Sequence, residues 1–307
     1  MAKSSGIVYR NWAVEYGSID SGSSDSAAWE PGAPESNMLT PQAGQVAIHD
    51  GSSGVKTWRV LVGADSATSS NAIGRPVGCV ALVNCNLIMD PSEVGDVLVH
   101  LIDEDGATAT CQAPAITLNG SGGAMSSIVW MVQDDATGSA DLSAIVAVEF
   151  EFAASVRFGS RDPWTGGTEE QALRIGTVVA GPLWRPINGI KLTPFVPGSV
   201  DLSPVIRTIG ATVWSSPQTR MRRLSGEFAL LPKDEVEARP PLCGLRQLAD
   251  HCGISRPLLL IPSDTDRQDL AAEAVYGHFT EDIAWSLVDK KDDVPQFRCP
   301  FNILESK

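Results

Sequence analysis

The feature that most restricts this fold is punctuation. Through most of its 307 residues the chain offers only short apolar runs, broken by Gly, Ser, Asp and Pro. Ala81-Leu82-Val83-Asn84-Cys85-Asn86-Leu87 and Val97-Leu98-Val99-His100-Leu101-Ile102 are examples. Runs this short bury a core only when many lie side by side, so the expected class is mainly β. We expect two β-sandwich-type domains, the first jelly-roll-like and the second carrying one or two short helices.

Strands are expected over 7–14, 45–49, 57–62, 79–87, 96–102, 128–132, 144–152 and 173–180. Gly181-Pro182 and Arg185-Pro186 stop the last of these, which divides the chain into domains 1–186 and 187–307. The second domain reads as strands over 189–195, 201–206, 208–215, 220–231, 257–262, 274–279, 283–288 and 297–304. Pro232 followed by Asp234 and Glu235 is a helix start, because proline fits the first turn and acids favour the positive end of the helix dipole. Leu242, Leu245, Leu248 and Ala249 recur at helical spacing, and Gly253 stands where a left-handed cap belongs, so the main helix is expected over 242–251.

The net charge of -14 is uneven: 9 basic against 21 acidic residues in 1–186, and 14 against 16 in 187–307. So negative a surface repels phosphate backbones and anionic membranes, and neither nucleic-acid binding nor membrane insertion is expected. No apolar run approaches the roughly 18–20 residues that cross a bilayer, and Met1-Ala2-Lys3-Ser4-Ser5-Gly6 has no apolar signal core. Synthesis and folding in a cytoplasm are expected.

The residues that carry chemistry are scattered. Cys79, Cys85, Cys111, Cys243, Cys252 and Cys299 form no C-x-x-C pair and sit mostly among apolar neighbours, as reduced core thiols do. Zinc on Cys243, His251 and Cys252 lacks a fourth nearby ligand. Asp103-Glu104-Asp105-Gly106 reads as a hairpin turn before it reads as a calcium loop, since alternating oxygen ligands and a closing glutamate are missing. Gly51 to Thr57 departs from a phosphate-binding loop because Val55 separates the last glycine from Lys56. No G-x-S-x-G occurs, the four histidines show no metal spacing, and Asp134-Asp135, Glu281-Asp282 and Asp292-Asp293 read as solvated loop acids. No catalytic residue, cofactor or metal is assigned, and the chain is not expected to be an enzyme.

Two groups of residues stand out as contacts. Arg220, Arg222 and Arg223, with Arg207 upstream, form a basic cluster in an acidic chain. Their forked guanidinium groups suit carboxylates of a neighbouring subunit, and an exposed strand balanced by local acids is the plainer alternative. Trp29 and Trp164 lie in loops, where an indole anchors a protein interface or stacks on a sugar.

The succession of Ala81 to Leu87, Val97 to Leu101, Leu173-Arg174-Ile175-Gly176-Thr177-Val178-Val179-Ala180-Gly181-Pro182 and Trp184-Arg185-Pro186 resembles the galactose-binding-like jelly roll found in minor tail and distal-tail (baseplate) proteins of long-tailed bacteriophages. The Arg-rich strand 220–231, the helix after it, Pro257 to Pro262, Val275 to Phe279 and the terminal strand 297–304 are similar to the tail module of such proteins. The resemblance implies a structural virion protein at the tail tip. It implies a homo-oligomeric ring, hexamer or trimer, joining the tail tube to baseplate hub proteins, and made in the cytoplasm of the host bacterium. Two other functions stand beside it: an adhesin whose first domain grips a host-surface glycan, and a tail enzyme that degrades polysaccharide.

Overall fold

The computed structural model describes residues 5–20, 29–49, 57–63, 73–88, 97–112, 126–153, 157–158, 172–192, 198–200, 205–207, 213–215, 221–238, 243–261, 274–291 and 294–306. In chain order the strands of the first half are β1 (Gly6–Val8), β2 (Ser18–Ile19), β3 (Ala47–His49), β4 (Thr57–Leu61), β5 (Cys79–Cys85), β6 (Leu87–Ile88), β7 (Val97–Asp103), β8 (Thr108–Cys111), β9 (Ser126–Trp130), β10 (Thr137–Gly138), β11 (Ile145–Phe152), β12 (Arg157–Phe158) and β13 (Leu173–Gly181). The second half adds β14 (Ile190–Leu192), β15 (Gly198–Val200), β16 (Val205–Arg207), β17 (Val213–Ser215), β18 (Met221–Pro232), β19 (Leu258–Ile261), β20 (Val275–Phe279), β21 (Ser286–Lys291) and β22 (Val294–Glu305). Helices are short: α1 (Trp12–Tyr16), α2 (Val132–Asp135), α3 (Lys233–Val236) and α4 (Leu245–Cys252). The fold is mainly β and sandwich-type, as expected from the punctuation.

The chain forms two compact units. The first is Met1–Arg185 together with Leu258–Val275, and the second is Pro186–Pro257 together with Tyr276–Lys307. Leu258–Val275, which lies inside the span 187–307 read from the sequence as the second domain, groups with the first unit, where β19 pairs antiparallel with β1.

In the first unit one sheet runs β10-β8-β7-β11-β4-β2 and another runs β3-β13-β5-β9. Their facing side chains share one core, in which Trp58 stacks on Phe150 with centroids 4.3 Å apart and Trp130 meets the same ring edge-on. β7 alternates strictly between buried and part-exposed positions, as a strand with one solvated face does. β5 and β13 are buried almost throughout, so their sheet is covered on both faces. One cover is the 3-10 helix Glu35–Leu39, whose Met38 carbonyl, like that of Thr40, accepts a bond from the Thr177 hydroxyl.

A kink lets β5 and β13 serve the core along their whole length. Leu82 and Cys85 both enter it although three residues apart, and so do their partners Val178 and Ile175. Asn84 makes this possible by adopting a left-handed φ of 55°, its side chain tied to the Ala43 carbonyl at 2.7 Å. Opposite it, Gly176 has no room for a Cβ, which would stand 2.2 Å from the Ala43 carbonyl oxygen.

Sequence and structure part at three places. The strand expected over 7–14 ends at Val8, because Asn11 caps a helix by accepting from the Ala13 N–H. Val132, expected to end a strand, begins α2. At the β7–β8 hairpin only Gly106 takes a positive φ, 81°, and the turn is held by Asp103, whose carboxylate accepts from the Asp105, Ala107 and Asp141 N–H groups. The expected helices both form, as α3 and α4, with Gly253 at φ 48° closing the latter.

Candidate functional site

The second unit is built on β18 and β22, twelve residues each, paired antiparallel and flanked by β14 and β15 on one side and by β20 and β21 on the other. Leu224, Phe228 and Leu231 on β18, with Cys299, Phe301 and Ile303 on β22, point into its core. The opposite face is polar. There the Ser225 hydroxyl donates to Asn302 at 2.6 Å and Arg298 pairs with Glu227.

Two bulges lie on either side of the same stretch of β22. β18 inserts an extra residue between Phe228 and Leu231, and β21 inserts one between Leu287 and Asp289. A bulge bends its strand and raises the local twist. On β18 it holds Leu230 at φ 56°, a conformation costing a non-glycine residue about 1–2 kcal/mol. The Asn188 side-chain amide donates to the Leu230 carbonyl at 2.5 Å and the Ile187 N–H donates to the Glu235 carboxylate, so both segments are fixed.

Between the bulges a row of apolar side chains crosses three strands on one face. Leu231 is paired with Phe297, and Phe297 with Leu287. Leu231 is buried, Phe297 part-buried and Leu287 56% exposed, so the row runs from the core into solvent. Val288 and Val294 of the same hairpin, and Leu230 of the bulge, are exposed as well. Among the described residues β21 pairs with β22 alone. Its other edge offers backbone N–H and C=O groups beside an apolar strip, and such an edge is a template for pairing with another chain.

Of the residues singled out by sequence, Arg223 is exposed near the start of β18, on the polar face, in register with Gly198 and Leu304. Arg207 and Arg222 lie on β16 and β18. Arg220 and Trp164 fall outside the described residues. Trp29 is part-buried and packs edge-on against His49 at 5.0 Å and Trp58 at 6.4 Å, which ties much of its ring to the core of the first unit. Arg223 thus faces away from the apolar strip. Leu287 and Val288 had a signal in the sequence that went unread: two adjacent apolar residues in a strand point to opposite faces, so one of them lacks a core.

Asp134 is engaged by Arg185 through two bonds, one of 2.8 Å. All six cysteines are free thiols, five of them buried. Burial pushes Cys299 up to about 12 and raises Cys79 further, so neither supplies thiolate near neutrality. Among the described residues no three His, Cys, Asp or Glu side chains converge as a metal site would require, and no helix is long and apolar enough to cross a membrane. Compared with known proteins, the chain matches no family, no curated protein and no solved structure.

Proposed function

We propose that this protein is a structural subunit that assembles with copies of itself and with other proteins through its second unit. The setting we propose is the tail of a long-tailed bacteriophage, on the sequence resemblance alone. The observation that carries the assembly reading is the apolar row from Leu231 through Phe297 to Leu287, which leaves the core at a strand edge with no described partner. Exposed edges of this kind are normally blunted or covered, because an unpaired apolar edge invites association. The charge distribution favours the same place: the second unit carries 13 basic against 12 acidic residues, so contacts through it bring together nearly neutral surfaces.

The test is the mass of the purified full chain in solution, by light scattering or mass photometry, against that of Leu287→Asp combined with Val288→Asp. We expect the native chain to form closed oligomers, or to do so once tail-tube or hub proteins are added. The double variant should stay monomeric while keeping its unfolding midpoint, since both side chains are already in solvent. Native protein that remains monomeric in every mixture, or a double variant that assembles as the native chain does, overturns this reading.

A further inference from the structure

We propose that Arg10, Trp12, Tyr16 and Arg75 form a binding site, in the first unit, for the carboxylate of an acidic sugar. The site is independent of the assembly reading. Arg10 and Arg75 both stand over the Trp12 indole, with Cζ 5.4 Å and 5.1 Å from its centroid, and Arg75 also lies 3.6 Å from the Tyr16 centroid. Arg75 therefore packs against two aromatic rings.

The frame around the guanidinium groups is rigid. The Trp12 indole N–H donates to the Pro76 carbonyl at 2.8 Å, and Arg75 exchanges backbone bonds of 2.9 Å with Ile145 in both directions. At Gly74 a Cβ would stand 2.6 Å from Ala144 backbone atoms, so this segment lies close against its neighbour. Little ordering remains to be done when a ligand arrives.

Among the described residues these two arginines meet no anion. The Nε atoms of Arg10 and Arg75 are buried without an acceptor, and among the described residues neither guanidinium makes a hydrogen bond or ion pair. Three other arginines do meet carboxylates: Arg59 meets Glu149 and Asp20, Arg185 meets Asp134, and Arg298 meets Glu227. Two part-buried guanidinium groups that meet no carboxylate among the described residues, in a chain with 37 acidic residues, are what points us to a ligand, because buried donors without acceptors cost free energy.

Chemistry narrows the ligand. A guanidinium fork matches a carboxylate with two parallel bonds. A polyanion is disfavoured, since residues 1–186 carry 21 acids against 9 bases and repel it at long range. A single carboxylate on an otherwise neutral molecule escapes that repulsion. Tyr16, 44% exposed, lies against Arg75 and offers an aromatic surface suited to the C–H face of a pyranose ring.

The experiment is calorimetric titration of the full chain with glucuronic acid and N-acetylneuraminic acid, using glucose, acetate and a glutamate-containing peptide as controls. We expect saturable binding of an acidic sugar, none of glucose, and weaker binding of acetate and peptide. Arg75→Lys, which keeps the charge and loses the fork, should weaken binding roughly tenfold or more. Tyr16→Ala, at an exposed position, serves as the second variant should Arg75→Lys unfold, and is expected to weaken binding of the sugar by a larger factor than binding of acetate. Acetate or peptide binding as tightly as the sugars, unchanged sugar binding in Tyr16→Ala, or no saturable binding of either acid overturns the proposal.

Discussion

The two units finish their apolar surfaces differently. In the first, two sheets face each other and enclose Trp58, Trp130 and Phe150. In the second, the row that starts at buried Leu231 ends at exposed Leu287. Of the eight large apolar side chains exposed among the described residues, six (Ile187, Leu230, Ile254, Leu287, Val288 and Val294) belong to the second unit, which is the smaller. A unit closed by its own layers leaves little for a neighbour. One whose described residues place only short helices against its sheet runs out of cover before it runs out of apolar residues.

The largest expected effect tests that contrast directly. Phe150→Ala removes a ring stacked on Trp58 in an enclosed core and should cost about 3–5 kcal/mol in urea unfolding. Phe297→Ala removes a ring already partly in solvent and should cost about 1–2 kcal/mol in the monomer. Equal costs would mean that the row is as well covered as the sandwich core, and the contrast would fail.

Gly176→Ala probes how the first unit closes. The added methyl meets the Ala43 carbonyl at 2.2 Å, and relief requires backbone movement, so a loss of about 1–3 kcal/mol is expected in the thermal midpoint. This position also shows what the sequence conveyed and what it withheld. The strand over 173–180 was legible from its apolar run, and β13 occupies Leu173–Gly181. The reversal of facing within it was not legible, because it depends on Asn84 taking a left-handed φ in a neighbouring strand. The capped helix at Trp12 was hidden likewise: Val14, Trp12 and Ile7 read as strand formers, and the Asn11 cap that overrides them is one side-chain bond. At the candidate interface the strands over 220–231 and 297–304 were legible, whereas the one expected over 283–288 meets β21 only at 286–288 and its free edge was not legible, since an edge is defined by which strands stay apart. The Arg cluster drew attention as charge, whereas the exposed strip is apolar and made of ordinary strand residues.

A smaller effect of opposite sign is expected at Leu230. Replacing it by Gly relieves the left-handed strain and should raise stability by up to about 1 kcal/mol, measured by urea unfolding of the monomer. If Leu230 also contributes to assembly, the same change lowers oligomer yield while the monomer grows more stable. A change in which both fall together would show that the bulge, and not the displayed side chain, is what matters.

Acid should separate the units by order of response, with the smallest effects of the set. In the first unit the Asp103 carboxyl is held below its ordinary range by the Asp141 N–H, and further by those of Ala107 and Asp105, while Asp141 is lowered by the Ser143 N–H and hydroxyl. In the second unit burial lowers His278 from its ordinary 6.5, and its Nδ1 is buried without a described partner. A lowered pKa in the folded state means that the unfolded chain binds the proton more readily, so stability falls as pH falls. For His278 the contribution is complete above about pH 6.5 and declines as the pH drops through the folded value; for the two aspartates it is complete above about pH 4 and declines below. Amide hydrogen exchange followed from about pH 7 to about pH 3, corrected for the intrinsic rate, should therefore show β20 and β22 losing protection before β7 and β8. Asp103→Asn should flatten the lower limb and leave the upper one, because the amide no longer titrates. Loss of protection in both units at one pH, or a lower limb unchanged in Asp103→Asn, would mean that neither group governs its unit's response to acid.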